Sequence, residues 1–330
     1  MIDSADVFVG IDTSNYTTSV CAIDAEEHIL FEDRRVLKVP AGARGLMQSE
    51  AVFQHVVGLP PLLSDLATVI ADKRIVAVGV SDRPREMKGS YMPVFHAGVL
   101  AATALAAGSG AKLIESTHQA GHIAAGIKTA DDQSCDTHPF LVLHLSGGTT
   151  DVLLADPAKP HFAVQEVVTG LDLHVGQYVD RVGVMLGLPF PAGKHMEKLA
   201  SSFSGTQVPL IPSSVKDGCP SFSGPLSAAV RMFENGTPPE ALAVAVERSI
   251  ATTLEKMIRF ALDKTGVHRV LLVGGVASNK HIRQRLIHRF GGHTRAKRLL
   301  SFSDPRFASD NALGISILAH RDGLWMGTHL

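Results

Sequence analysis

The sequence predicts an α/β protein with a duplicated ribonuclease-H-like fold. Two observations support this. Three consecutive strand-like runs joined by short polar turns occur twice, over residues 7–37 and again over 139–170. Each triplet is followed by helix-like and strand-like segments in the same order, so that the β-β-β-α-β-α-β-α pattern repeats. Such a duplication gives the two lobes of actin, the Hsp70 ATPase and the sugar kinases, a likeness that leaves function open.

In the first half, alternating and β-branched residues favour three strands and a mixed helical region. The strands are VFVGIDTS (7–14), TTSVCAID (17–24) and HILFEDRRVL (28–37). These strands are followed by a helix over about 45–70, the strand IVAVGVSD (75–82), an alanine-rich helix (93–107), the strand AKLIEST (111–117) and a helix from His118.

The second half repeats this order. Its strands are PFLVLHLSG (139–147), TTDVLLAD (149–156) and HFAVQEVVTG (161–170). Helical segments cover about 176–265 and are interrupted by a Pro/Ser/Gly-rich stretch near 204–225. The second half ends with the strand RVLLVGG (269–275), a helix (278–290), the strand RLLSF (298–302) and a closing helix from Ser309. We expect lobe one to span 1–136 plus about 310–330, lobe two to span 137–309, and TADDQSCDTH (129–138) to link them.

Composition restricts the function classes. Hydrophobic residues make up 45% of the 330 positions and charged residues 19%, which is typical of a globular chain. Lysine and arginine number 31 against 32 acidic residues, so an RNA contact would need a local basic patch or a partner. The three scattered cysteines argue against a disulfide frame and a cysteine-ligated zinc. Neither a signal segment nor a membrane span is expected, which favours a cytoplasmic protein.

Three turns at corresponding places could hold a nucleotide between the lobes. They are GIDTSNYTT (10–18), SGGTTD (146–151) and VGGVASN (273–279). Glycines let backbone N–H groups approach an anion, hydroxyls add donors, and a helix N-terminus favours negative charge. Each turn alone is equally compatible with an ordinary hairpin or β-α turn. Their equivalent positions in both halves favour a nucleotide site.

THQAGH (117–122) places His118 and His122 four residues apart, on one face of a helix. Two imidazoles can share a metal but rarely suffice, and Asp310 is the candidate third ligand, although it could instead cap the last helix. With 16 histidines in the chain, spacing alone favours two ordinary helix histidines. A zinc-protease site is disfavoured because Gln119 cannot act as the general base.

Taken together, these segments resemble the TsaD family of tRNA threonylcarbamoyladenosine transferases, formerly described as O-sialoglycoprotein endopeptidases. The resemblance runs in order over nearly the whole chain. The matching segments are GIDTSNYTTSVCAID, THQAGHIAAG, LHLSGGTTDVLL, GQYVDRVGVMLGLPFPAG, SFSG (221–224), GGVASNKHIR and FASDNALGIS. So many ordered motifs indicate common descent.

The resemblance implies a role for each matching residue. His118, His122 and Asp310 would hold one divalent metal, iron or zinc. The implied nucleotide and substrate contacts are Asp12, Ser14, Ser146, Gly147, Gly148, Thr149, Thr150, Asp180, Gly193, Gly275 and Asn279. The substrate would be threonylcarbamoyl-AMP, and AMP would be the leaving group. The implied partners are tRNA, a TsaB-like paralogue and a small ATPase, with a homodimer as a further option and no separate catalytic base assigned.

Several positions depart from the family pattern. SDRPREMKGSYMPVFHAG (81–98) replaces a glycine-rich strand end and brings Arg83, Arg85 and Lys88 towards the lobe-one floor of the cleft. Further departures are Asp12, Asn15, Thr149, Gln177 and a PAGK segment. The metal ligands and nucleotide turns are retained, so these changes bear on the acyl and acceptor sites.

The resemblance favours metal-dependent transfer of a threonylcarbamoyl group to N6 of the adenosine next to the tRNA anticodon. A divergent relative that transfers another carbamoyl group, or that hydrolyses or senses nucleotide, stays open. A dimerising scaffold is less favoured because the metal ligands are present. A sugar-kinase-like phosphotransferase is less favoured because no aspartate stands in a distinctive context for its base.

Overall fold

The structure is a computed structural model, and it describes residues 3–14, 16–40, 45–130, 135, 137–158, 160–292, 296 and 299–325. Asn15 and half of the expected linker (129–138) lie outside the described residues. Among the helices of these ranges, none has the length and apolar character needed to cross a membrane.

Two five-stranded sheets with the same topology form the centre of the protein. The strands are β1 (Asp6–Thr13), β2 (Thr17–Ile23), β3 (Ile29–Val36), β4 (Arg74–Arg83), β5 (Lys112–Thr117), β6 (Phe140–Leu145), β7 (Thr150–Ala155), β8 (Gln165–Val168), β9 (Ser214–Lys216), β10 (Cys219–Ser221), β11 (Val270–Val273) and β12 (Leu300–Phe302). The sheet orders are β3-β2-β1-β4-β5 and β8-β7-β6-β11-β12, with β9 and β10 forming a separate hairpin. In both sheets the first three strands are antiparallel and the last two are parallel additions. The predicted duplicated α/β fold is confirmed.

Helices cover both sheets. They are α1 (Gln48–Val69), α2 (Phe95–Ser109), α3 (His118–Thr129), α4 (Val175–Met185), α5 (Gly193–Ser201), α6 (Ser223–Glu234), α7 (Pro239–Thr265), α8 (Lys280–Arg289), the single turn α9 (Pro305–Ala308) and α10 (Leu313–Trp325).

Alternation along the strands sorts the apolar side chains into separate cores. On β1, Val7 and Val9 face α1 and α2, whereas Phe8 points to the opposite side. On β6, Leu141 belongs to the core under the lobe-two helices, while Phe140 shares the Phe8 core. That shared core also contains α3 and α10, so these two helices form a layer between the two sheets.

Glycines allow α10 to lie directly on β1 and α3. A Cβ atom on Gly10 would collide with the backbone of Ala312 and Ser316, and one on Gly314 would collide with the carbonyl group of Gly121. Backbones this close leave no room for a side chain at either position. The contact fixes the loop before α10 against the N-terminal half of α3.

Two local expectations were wrong, and one hairpin was not predicted. The closing helix begins at Leu313 rather than Ser309, because the Asn311 side chain accepts the Leu313 N–H at 3.1 Å and ends the preceding loop. The first part of HFAVQEVVTG forms a single 3-10 turn, and only Gln165–Val168 is a strand. The Pro/Ser/Gly-rich stretch near 204–225 contains the β9–β10 hairpin, whose short strands lack a periodic signal.

One carboxylate ties the β2–β3 turn to the layer between the sheets. A Glu27 oxygen lies 3.3 Å from Nδ1 of His320 on α10, and the other accepts a hydrogen bond from Nζ of Lys128 on α3 at 2.8 Å. His320 and Lys128 outweigh burial and lower the pKa of Glu27 to about 2. The ionised form of Glu27 therefore stabilises the attachment of α10 and α3 to the first sheet.

We predict that Glu27→Gln destabilises the protein at neutral pH but not in acid. The folded-state pKa is lowered to about 2 from 4.5, so the contribution is present above about pH 4.5 and is lost as pH falls towards 2. Because the group is partly exposed, the free energy of unfolding should fall by about 1–2 kcal/mol near pH 7.

Urea unfolding of both proteins near pH 7 and near pH 3 measures the effect. Glu26→Gln is the matched control, since its neighbouring side chain is exposed, and it should change stability by less than about 0.5 kcal/mol. Equal destabilisation by Glu27→Gln at both pH values would contradict the assignment.

Candidate metal and nucleotide site

The end of β5 positions the histidine pair. Thr117, the last residue of β5, caps α3 by accepting the Ala120 N–H on its Oγ1 at 3.0 Å. The helix therefore begins at His118, at the carboxyl edge of the first sheet. His118 and His122 lie one turn apart and project from the same face.

Asp310 joins the two histidines. The two Nε2 atoms are 3.1 Å apart, and Oδ1 of Asp310 lies 3.5 Å from that of His118 and 3.4 Å from that of His122. Two nitrogens and one oxygen at about 2.0–2.1 Å from a tetrahedral ion would be separated by about 3.3–3.4 Å. The three donors therefore fit one metal ion and leave a coordination position open.

Groups behind the triangle hold its members in place. Asp12 is fully buried, and its Oδ1 lies 2.9 Å from Nδ1 of His118 and also bonds Ser81. This leaves Nε2 of His118 directed at Asp310, which is the arrangement expected around a metal-ligating imidazole. Asp12 thus orients a ligand instead of lining the cleft, and its buried Oδ2 has no protein partner among the described residues.

Two side chains fix the Asp310 carboxylate and its loop. Ser14 donates its Oγ hydrogen bond to Oδ2 of Asp310 at 2.8 Å. From β3, Arg34 donates to the backbone carbonyl of Arg306 at 2.6 Å and to that of Asp310 at 3.4 Å. The loop before α10 is therefore attached to the first sheet at its backbone as well as at its carboxylate.

The charges in the triangle suit cation binding. Burial disfavours a charged His118, but Asp12 and Asp310 outweigh it and raise its pKa to about 10. Burial likewise opposes an ionised Asp310, yet His118 and His122 keep its pKa well below the ordinary value. The Asp310 carboxylate thus lies beside a proton on His118, and a divalent ion can bind there by replacing that proton.

His144 is a site residue that the sequence analysis missed. Its ring centroid lies 4.9 Å from that of His122, and its Nδ1 lies 3.5 Å from the Gln119 amide. Burial and the neighbouring His122 lower its pKa well below the ordinary value, so the ring is neutral, and its buried Nε2 has no protein partner among the described residues. The sequence feature that could have identified His144 is that it is a lone histidine within the apolar run of β6.

The turn after β6 begins two residues beyond His144. Ser146 and Thr149 bond each other through their hydroxyls at 2.6 Å, and Thr150 accepts the Val175 N–H from the start of α4 at 2.8 Å. Gly147 and Gly148 face open space. The hydroxyls therefore shape the turn, since Ser146 Oγ also accepts the Gly148 N–H at 3.2 Å, while Gly147 offers backbone to a ligand.

Arg85 crosses from lobe one to this turn. It donates to the Gly148 carbonyl at 3.2 Å and pairs with the buried Asp151 at 3.4 Å. Arg83, in contrast, is paired with Asp82 and Glu86 of its own segment, and Lys88 is exposed. Of the three cations expected near the cleft floor, Arg85 is the one placed at the phosphate turn.

The remaining candidates lie around α4 and the turn after β11. Asp180 accepts the Ala192 N–H at 2.8 Å, burial raises its pKa, and Gly193 beside it faces open space. Gly275 also faces open space. The Asn279 side chain caps α8 by accepting the Ile282 N–H, and it donates to Glu247 at 2.7 Å. The backbone of Asn279, rather than its side chain, is therefore available to a nucleotide.

Direct contacts connect these parts. Gly176 of α4 packs against Gly147, and Gly274 packs against Leu145 just before Ser146. These contacts place the start of α4 and the turn after β11 beside the Gly147–Gly148 turn. A second possible donor group, Asp24, Glu26 and His28, lies on the exposed β2–β3 turn, away from this cleft.

Comparisons with known proteins agree with this geometry. The family described as "TsaD: tRNA N6-adenosine threonylcarbamoyltransferase" matches residues 36–316. The tRNA N6-adenosine threonylcarbamoyltransferase of Methanopyrus kandleri is 28% identical over 323 residues, covering 96% of this chain and 89% of that protein. A probable bifunctional tRNA threonylcarbamoyladenosine biosynthesis protein of Methanocaldococcus jannaschii is 27% identical over 325 residues, covering 97% of this chain and 56% of that protein.

The chain thus spans little more than half the length of the bifunctional relative. Among solved structures, HypF of T. kodakarensis is similar with a TM-score of 0.59 at 14% identity, covering 100% of this chain and 49% of that one. At this identity the likeness concerns the fold alone, and it agrees with the two-lobed architecture.

We predict that His118→Ala and Asp310→Asn each lower zinc or iron affinity at least about tenfold, because two donors rarely hold a divalent ion. Metal content after dialysis against a defined metal concentration measures this, with thermal unfolding as the check on folding. His28→Ala is the matched control, since its imidazole belongs to the exposed donor group. Equal metal content in wild type and His118→Ala would refute the triangle.

Proposed function

The chain belongs to the TsaD family of tRNA N6-adenosine threonylcarbamoyltransferases, and on that premise we propose that it transfers a threonylcarbamoyl group from threonylcarbamoyl-AMP to N6 of the adenosine next to the tRNA anticodon. One observation carries the proposal. The donor triangle of His118, His122 and Asp310 is linked to the Gly147–Gly148 turn, because His144 packs against His122 and lies two residues before Ser146. A metal and an acyl-phosphate can thus meet in one place.

The AMP part of the substrate would lie along lobe two. Gly147 would give its backbone N–H to the phosphate, with the α4 N-terminus behind it. The carboxylate of Asp180, which accepts the Ala192 N–H beside Gly193, would also accept hydrogen bonds from ribose hydroxyls. Gly275 would allow the adenine to lie against the backbone of the turn after β11.

The acyl part would point towards lobe one. His118, His122 and Asp310 would hold iron or zinc, which when bound would polarise the carbamoyl carbonyl and stabilise charge on its oxygen. Asp12 keeps His118 in the ligand orientation, and Ser14 with Arg34 keeps Asp310 there. The positive charge of Arg85 beside Gly148 would favour the phosphate as it leaves.

In the reaction, the N6 nitrogen of adenosine attacks the carbamoyl carbon. The new C–N bond forms as the bond from that carbon to the phosphate oxygen breaks, AMP leaves with the electron pair, and N6 gives up one proton.

The partners follow from the same membership. We propose tRNA as the acceptor, and a TsaB-like paralogue and a small ATPase as protein partners. The relative from Methanocaldococcus jannaschii is named a probable bifunctional tRNA threonylcarbamoyladenosine biosynthesis protein, and this chain covers 56% of it.

The decisive experiment incubates the purified chain with threonylcarbamoyl-AMP and unmodified tRNA, alone and with the partner proteins. Mass spectrometry of digested tRNA should detect the modified nucleoside, and AMP should appear in equal amount. AMP release without modified nucleoside would point to a nucleotide hydrolase, and neither product would refute the proposed transfer.

We predict that Arg85→Ala raises KM for the acyl-adenylate about tenfold, because it removes the hydrogen bond to the Gly148 carbonyl and leaves the buried Asp151 carboxylate unpaired beside the phosphate turn. Arg83→Ala is the matched control, since its guanidinium is neutralised within its own segment and its KM should change less than about twofold. Initial rates of AMP formation over a range of substrate concentrations give both values. Equal KM values for the two variants would contradict the position assigned to Arg85.

A further inference from the structure

A basic stretch interrupts the otherwise balanced charge of the chain. From Lys280 to Ser303 the sequence contains seven lysines and arginines and no aspartate or glutamate. The whole chain has a net charge of −1, so this local excess is opposed by acidic residues elsewhere. Blocks of like charge repel one another and are characteristic of surfaces that bind a partner of opposite charge.

The stretch begins with α8, which packs on α7 through its buried Ile282 and Leu286. Where the two helices meet, one carboxylate bridges two guanidiniums. Glu255 of α7 accepts from Nε of Arg259 at 3.0 Å and from Nε of Arg289 at 2.6 Å. Both arginine side chains keep about half of their surface exposed, at 53% and 52%.

Two more arginines lie beside this bridge, and neither forms an ion pair with a carboxylate among the described residues. Arg285 is one turn before Arg289 on α8, and Arg248 is two turns before Glu255 on α7. Among the described residues, no acidic group lies within ion-pair distance of either, and the buried Nε of Arg285 has no hydrogen-bond partner. Burial and the charges of Arg248 and Arg289 lower the pKa of Arg285.

Neighbouring cations are committed to the fold and are not part of this cluster. Arg283 donates to the backbone carbonyls of Ala277 and Ser303, both at 2.6 Å. His281 pairs with Glu247 at 2.7 Å, on the side of α8 that faces the nucleotide turn.

We propose that Arg248, Arg259, Arg285 and Arg289 form a phosphate-binding surface for the backbone of an RNA, and we call it the α7–α8 arginine surface. Four guanidiniums around one carboxylate leave a net charge of about +3. All are arginines, whose planar donors match phosphate oxygens better than an ammonium does.

The position of this surface fits a nucleic acid that also enters the cleft. Asn279 caps α8 at the nucleotide turn, and Arg285 and Arg289 follow it by six and ten residues on the same helix. At 1.5 Å per residue these distances are about 9 and 15 Å. Phosphates of an RNA that passes beside the nucleotide turn would therefore contact the arginines. Identifying the RNA as tRNA rests on the proposed function.

The test compares tRNA binding by wild type and by an Arg248→Gln/Arg285→Gln double variant. Fluorescence anisotropy with labelled, unmodified tRNA over a series of salt concentrations gives the dissociation constant and its salt dependence. We expect the dissociation constant to rise about tenfold and the slope of its logarithm against log salt to fall by about 1.4–1.8, as for two lost phosphate contacts.

A Lys112→Gln/Arg231→Gln double variant is the matched control, because it removes two exposed cations elsewhere on the chain. The single Arg248→Gln variant, at an exposed position, keeps the test valid if the double variant does not fold. Wild-type affinity and slope in the α7–α8 variants, an equal loss in the control, or no tRNA binding by the wild type would each overturn the surface.

Nucleoside analysis separates this proposal from the proposed function. Weakened tRNA binding by the variants, with no modified nucleoside formed by the wild type, would support the surface and contradict the reaction. Modified nucleoside formed with an unchanged KM for tRNA in the variants would support the reaction and contradict the surface.

Discussion

The site depends on the close packing of α10 against β1 and α3. Asp310 is far in sequence from the two histidines, and it reaches them because Gly10, Gly121 and Gly314 let three backbones touch. A side chain at Gly314 would push α10 away from α3 by the width of a methyl group. Since ligand atoms must lie within a few tenths of an ångström of their positions, this apolar contact sets the metal geometry.

The charged residues of lobe one differ from those beside the glycine turn of lobe two. On the lobe-one side, a buried carboxylate, Asp12, keeps one imidazole in the orientation of a ligand and leaves the donor triangle with a charge that attracts a cation. On the lobe-two side, glycines expose backbone and Arg85 supplies a positive charge for an anion. The α7–α8 arginine surface would extend this attraction for anions beyond the cleft, where the chain as a whole has almost no net charge.

Sequence reasoning reached the fold and the triangle by different routes. The repeated strand triplets predict the duplicated sheets from local periodicity, which needs no knowledge of long-range contacts. Asp310 was accessible only through the expectation that the last helix returns to lobe one, and the resemblance added weight to it. The roles of Asp12 and Asn279 could not be predicted from the sequence, because their partners His118 and Glu247 are distant in the chain and contact them only in the folded structure. His144 was missed because a single histidine in an apolar strand is ambiguous until its neighbours are known.

The central claim is that His118, His122 and Asp310 bind one metal ion with an open position, and X-ray absorption spectroscopy of the zinc-loaded protein tests it most directly. The account predicts only nitrogen and oxygen neighbours at about 2.0–2.1 Å, with the multiple-scattering pattern of two imidazoles and a four-coordinate edge. A sulfur neighbour at about 2.3 Å, or a spectrum without two imidazoles, would contradict it.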